Sequence, residues 1–250
     1  MATDKTKLGD RMKGYENITR NHLISRMPVI IRLDGKAFHT FTRGFDKPFD
    51  EAMGIAMQTT MKYLCEHIQG CVLGYTQSDE ITLVLVDYET FKTDSWFDNN
   101  IQKIVSVSAS MATYIFNKTM RGFSTWNGYD NKYPERVAKM GAFFDSRTFN
   151  IPKDDLLNCV LWRIKDCVRN SKQSLGQAHF SQKELHKKNT DEIISMVKEK
   201  TGIVWDDLPT RFKYGTFCVK TPDSGFVLVD KDIETYSDLE TFFSEHGVFF

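Results

Sequence analysis

Residues 28–35 read Pro-Val-Ile-Ile-Arg-Leu-Asp-Gly, and residues 70–86 read Gly-Cys-Val-Leu-Gly-Tyr-Thr-Gln-Ser-Asp-Glu-Ile-Thr-Leu-Val-Leu-Val. The first is an apolar run of strand length that stops at Asp34-Gly35. The second is two apolar runs around a polar turn, Gln77-Ser78-Asp79-Glu80, which is the pattern of a hairpin. An apolar strand that ends in a carboxylate places that charge at a sheet edge, within reach of solvent and ligand. Two such ends brought together give a hard oxygen site suited to Mg²⁺ carrying substrate phosphates. Asp-Gly and Ser-Asp are also ordinary turn signals. Their joint appearance one helix apart favours the site.

Outward from these strands, residues 36–48 alternate aromatic and basic side chains, the composition of a loop that can hold a base and its phosphates. Phe38, Phe41 and Phe45 can equally plug the core, and at least one is expected to. Pro48 opens a helix across 49–68 whose Met53, Ala56, Met57 and Met61 stripe reads as core. A long apolar-faced helix is expected from Trp96 to about Met120, then a strand within 141–151. Strand, helix, strand, strand, helix, strand is the ferredoxin-like βαββαβ order, the layout of polymerase palms and nucleotidyl cyclases. The fold class is α+β. That layout sets the end of the first strand beside the central hairpin, so Asp34 and Asp79 should converge.

Ahead of this core, Leu8, Met12, Tyr15 and Ile18 recur at near-helical spacing and predict an amphipathic helix, with Arg20, His22 and Arg26 following. After it, Leu156, Leu157, Val160, Leu161, Ile164 and Val168 predict a helix over 153–169, ending in Arg169-Asn170-Ser171-Lys172. One or two helices across 181–200, a strand Tyr214–Lys220 and a hairpin to Val227–Val229 complete a helical and β-hairpin C-terminal extension. The chain therefore divides into a palm-like catalytic core, 1–152, and an extension, 153–250, packed on it as one unit.

The 250 residues are 41% hydrophobic and 26% charged, ordinary for a globular protein. With 33 basic and 33 acidic residues no global field marks a polyanionic partner, so a nucleic-acid role needs local basic patches. Five cysteines without C-x-x-C spacing suit neither a disulfide framework nor a zinc site, and point to a reducing cytoplasm. No apolar leader or membrane-length window is present, so a soluble cytoplasmic protein without a membrane partner is expected.

At Arg32-Leu-Asp-Gly-Lys-Ala-Phe-His-Thr-Phe41 and Gly74-Tyr-Thr-Gln-Ser-Asp-Glu80 the sequence resembles the tRNA-His guanylyltransferase family and its relatives, the guanylyltransferase-like 3′–5′ polymerases. Lys47-Pro48 with Asp50, Trp96-Phe97 and Phe144-Asp145-Ser-Arg147 extend the agreement over about residues 5–220. Members add a nucleotide to the 5′ end of tRNA after activating its 5′-monophosphate with ATP or GTP. The resemblance implies two Mg²⁺ ions on Asp34 and Asp79, with the Gly35 carbonyl as a further ligand and Glu80 as an accessory acid. It implies that Lys36, Ala37, Phe38 and His39 line the nucleotide, that Lys47 reaches a triphosphate, and that Ser78 lies beside it. Partners implied are tRNA and nucleoside triphosphates, in a homotetramer.

One departure bears on function. Eukaryotic members carry H-I-N-N-L-Y-N where this chain reads Cys167-Val-Arg169-Asn170-Ser171-Lys172-Gln-Ser. This favours the templated branch, which restores missing 5′ nucleotides by pairing, over non-templated addition of G to tRNA-His. Arg169, Asn170, Ser171, Lys172 and Lys213 are then candidates for contacts to the RNA 5′ end. A nucleotide cyclase or 5′–3′ palm polymerase could share the fold, although no G-G-D-E-F run occurs. A non-catalytic RNA-binding relative is the other alternative. The retained Asp34, Asp79 and Glu80 weigh against it, because paired carboxylates repel each other and RNA.

Overall fold

A computed structural model describes residues 6–123, 131–221 and 223–248; Met1 to Lys5 and Phe249–Phe250 lie outside the described residues. Six strands there form one antiparallel sheet: β1 (Val29–Gly35), β2 (Cys71–Gln77), β3 (Glu80–Leu85), β4 (Phe144–Asn150), β5 (Thr216–Thr221) and β6 (Gly225–Val229), in the order β4-β1-β3-β2-β5-β6. The helices in chain order are α1 (Lys7–Asn17), α2 (Phe38–Phe41), α3 (Glu51–His67), α4 (Ile101–Gly122), α5 (Lys132–Met140), α6 (Leu156–His179), α7 (Gln182–Leu185), α8 (Thr190–Thr201), α9 (Thr210–Lys213) and α10 (Tyr236–Glu245). The first four strands with α3 and α4 make the expected βαββαβ core, so the fold is α+β and palm-like. β5 pairs with β2, so the C-terminal segment continues the same sheet. No helix among the described residues is long and apolar enough to cross a membrane.

β1 is buried on both faces, which is why its sequence is a nearly unbroken apolar run and not an alternating one. Val29, Ile31 and Leu33 pack toward α3 and α4, whereas Ile30 joins a second cluster with α6 and α10. α3 starts at Asp50, whose side chain accepts from the Met53 amide at 2.9 Å, and buries Ala52, Ala56, Met57, Met61 and Leu64. Phe38, Phe41 and Phe45 are all buried. The three Phe side chains of the loop after β1 are therefore core, and Lys36, His39, Arg43 and Lys47 remain outside.

Two helix boundaries differ clearly from those expected. The long helix begins at Ile101, not Trp96, because Phe97 and Asp98 have φ of 51° and 53° and the Asn100 side chain caps the Lys103 amide. The helix of 153–169 continues to His179 through Arg169–Lys172. No Gly or Pro interrupts that stretch until Gly176, and Ser171, Leu175 and Gly176 lie on its buried side. α1 occupies the expected span, yet buries none of its residues.

Candidate active site

The antiparallel register sets Asp34 opposite Glu80 on one side and Asp145 on the other, so three acidic side chains lie in a row across one end of the sheet. Asp79 stands at the tip of the β2–β3 hairpin, and its carbonyl accepts from the Gly35 amide at 3.1 Å, which ties the two motifs together. The backbone is turned sharply at both: Ala37 and Ser78 have φ of 54° and 50°, a left-handed conformation uncommon for non-glycine residues. Gly35 has a steric reason. A Cβ there would lie 2.3 Å from the buried Phe38 ring.

Asp79 senses Asp34. Burial raises the Asp79 carboxyl above its usual range, and the negative charge of Asp34 raises it further, against a hydrogen bond from Ser78 Oγ at 3.0 Å. Arg147 is a nearby cation, 3.9 Å from Asp34, but its closer partner is Asp145 at 3.0 Å. Among the described residues no group of three or more His, Cys, Asp or Glu side chains is arranged to hold a metal. The Asp34 and Asp79 carboxylates make a smaller, all-oxygen pair. It suits a hard cation, and two mutually repelling carboxylates are the arrangement a cation would relieve.

Glu80 is arranged differently. Arg163 of α6 donates to both of its oxygens, at 2.7 and 2.9 Å, and also to Asp166 at 2.7 Å. Burial still pushes the Glu80 carboxyl up, with Arg163 opposing. Its charge is thus compensated within the protein. Arg163 also stacks on Trp162, 4.4 Å from the ring centroid, with Arg32 on the same ring at 5.4 Å. The sequence reading missed Arg163, although the signal was there. It lies in the helical run Val160, Arg163, Cys167 and Ser171, a buried stripe where a cation needs a carboxylate partner.

The remaining candidates fall into separate places. Lys36, Ala37, His39 and Lys47 are exposed around the loop that follows β1, whereas the Phe38 ring is inside. Ser78, Asn170 and Ser171 line one cleft of about 140 Å³, together with Gln58, Gln77 and the parallel pair Phe49–Phe212, whose ring centroids are 4.8 Å apart. Arg169 and Asn170 are bonded to Asp166, and Lys172 to Asp191. Ser171 Oγ accepts from Trp205 Nε1 at 3.0 Å. Lys213 is buried, and its ammonium donates to the Asp206 carbonyl. The structure does not present Ser171 or Lys213 to solvent as RNA contacts.

The model of the tRNAHis guanylyltransferase family matches residues 9–152. Among solved structures, a bacterial tRNA(HIS) guanylyltransferase-like protein in complex with ATP is 39% identical with a TM-score of 0.86, covering 96% of this chain and 99% of that one. A second such structure, in complex with GTP, is 37% identical with a TM-score of 0.77 and the same coverage, 96% and 99%. Among curated proteins, tRNA(His) guanylyltransferase 2 of Arabidopsis thaliana is 29% identical over 229 residues, 86% of this chain and 40% of the plant protein. The chain thus spans well under half of that relative's length.

Proposed function

The chain belongs to the tRNAHis guanylyltransferase family, and from that premise we propose that it adds nucleotides to the 5′ end of tRNA in the 3′–5′ direction. The reaction begins with activation of the 5′-monophosphate by ATP or GTP and continues with attack by the 3′-hydroxyl of an incoming nucleotide. One observation carries the reading: the tie between the Gly35 turn and the hairpin tip that sets Asp34 against Asp79. The nucleotides bound to the two bacterial relatives support triphosphates as substrates.

Phosphoryl transfer depends mainly on positioning and on neutralising charge. Asp34, Asp79 and the Gly35 carbonyl would hold Mg²⁺, two ions in this reading, which supplies the charge neutralisation phosphates require. Lys36, two residues past Asp34, and Lys47, farther along the same loop, are exposed and would meet a triphosphate in this reading. Ser78 stands at the junction of the hairpin tip and the cleft, whose Phe49 and Phe212 rings and amide side chains offer a face and hydrogen bonds to a nucleoside. Glu80, paired with Arg163, positions the strand end.

The addition is templated in this reading. Arg169, Ser171 and Lys172, in the segment that departs from the family motif, are engaged by Asp166, Trp205 and Asp191. In this reading the choice of base is left to pairing with the opposite strand. A second reading, non-templated addition of G to tRNA-His, is favoured by the family description and the plant relative's name. The five cysteines are free thiols, in keeping with a reducing, cytoplasmic setting. A homotetramer belongs to the same reading and is checked by sedimentation.

Product sequencing separates the two readings. A tRNA lacking its first nucleotide, incubated with Mg²⁺ and all four triphosphates, should gain the complement of the base opposite. Changing that base should change the nucleotide added. Asp34→Ala or Asp79→Ala should lower transfer by at least ~10²–10³-fold. If G is added whatever the opposing base, the non-templated reading replaces this one. Near-normal transfer by either variant would overturn the metal assignment.

A further inference from the structure

Beside the Gly35 turn, an open groove with room for about 880 Å³ runs between the C-terminal half of α4, the end of α5 and the start of β4. Tyr114 and Phe143 both line it and expose 63% and 55% of their surfaces. Lys118 and Arg121 are its charged lining, with no carboxylate among the residues that form it, and the Lys118 ammonium sits 5.9 Å from the Tyr114 ring centroid. The described residues of α4 and α5 carry three cationic side chains each against one carboxylate, Glu135, on a chain of zero formal charge. Two exposed rings in one lining with two cations fit a stacked base and its phosphate better than a neutral protein surface.

Position narrows the ligand. The Phe143 carbonyl accepts from the Lys36 amide at 2.8 Å, so the groove adjoins the loop that carries Lys36, next to Asp34. A tRNA whose 5′ end reacts at Asp34 and Asp79 presents unpaired bases close by in its single-stranded 3′ tail, which leaves the same end of the acceptor stem. We propose that the groove binds one or two unpaired bases of the tRNA 3′ tail, stacked on Phe143 and Tyr114, with the adjoining phosphates against Lys118 and Arg121. This rests on the reading of tRNA as substrate.

The test is equilibrium binding of intact tRNA and of the same tRNA trimmed of its 3′ tail, to the wild-type chain and to Tyr114→Leu/Phe143→Leu, which keeps apolar bulk without a π-face. Trimming should weaken wild-type binding about tenfold, the order of one stacked base. The double variant should bind intact tRNA about as weakly as the wild type binds the trimmed one, with no further loss on trimming. Its melting temperature and its oligomeric state by sedimentation should match the wild type. Equal wild-type affinity for both tRNAs overturns the proposal and leaves tRNA as the substrate. A double variant that still distinguishes the two tRNAs overturns it as well. Dissociation of the variant with unchanged RNA affinity assigns the rings to an interface between copies, against the proposal. If the wild type binds neither tRNA, the substrate reading falls and this inference with it.

Discussion

Asp79 is held at a hairpin tip where its ionised form is disfavoured, first by burial and then by the charge of Asp34. A carboxyl whose folded pKa is raised contributes stability that is full below its unfolded pKa and is lost as pH rises through the folded one. Asp79→Asn removes that loss. At pH 7 the variant should melt above the wild type, by about 2–4 °C if the relieved penalty is near 1 kcal/mol in a chain of this size. The difference should close as pH falls through the raised pKa of Asp79. Mg²⁺ should raise the melting temperature of the wild type by mass action and leave that of Asp79→Asn unchanged. Thermal melts across pH, with and without Mg²⁺, check both. A variant that melts below the wild type at pH 7 would show that Asp79 is not electrostatically strained.

α6 shows how one element can hide a buried polar stripe inside an amphipathic pattern. Its apolar positions are legible at helical spacing, and so is the presence of the helix. Its continuation past residue 169 is not legible, because Arg169-Asn170-Ser171-Lys172 is polar and breaks the apolar stripe. Their partners come from distant segments: Trp205 lies 34 residues beyond Ser171, and Asp191 lies 19 beyond Lys172. Ser171→Ala would leave the buried indole N–H of Trp205 without an acceptor and should cost ~1–3 kcal/mol. Arg169→Ala, by contrast, removes an exposed side chain and should change stability by no more than about 0.5 kcal/mol. Denaturant melts of the two variants check the contrast. Equal effects would remove Ser171 from the packing of α6.

The whole molecule is joined by its sheet. One hydrophobic cluster lies against α3 and α4, the other against α6 and α10, and strands β1, β2 and β3 contribute residues to both. A chain cut after residue 152 would leave β2 without its β5 partner and would bare Ile30, Leu73, Tyr75 and Val84 to water. We expect residues 1–152 alone to lack a cooperative thermal transition and to aggregate. Calorimetry and sedimentation of that fragment provide the check. A soluble fragment with a sharp transition would establish an independent core.

The sequence by itself determined the order of elements in the core and the two acidic strand ends, because both are local. Apolar runs of strand length, helical stripes and turn residues are written in neighbouring positions, and the βαββαβ order then leaves few ways to bring Asp34 near the hairpin. Only the tertiary structure decided what each polar group faces. Glu80 carries the same motif credentials as Asp79, yet Arg163, 83 residues away, compensates its charge. Phe38 sits among candidate ligand-binding residues and points into the core because α4 and β4 supply Phe116 and Phe144 against its ring. Lys213, a basic residue in a polar stretch, is withdrawn against Trp205 and the Asp206 carbonyl. The physical reason is the same in each case. Propensity and patterning act over a few residues, whereas the partner that buries or neutralises a side chain is chosen by contacts across the whole chain.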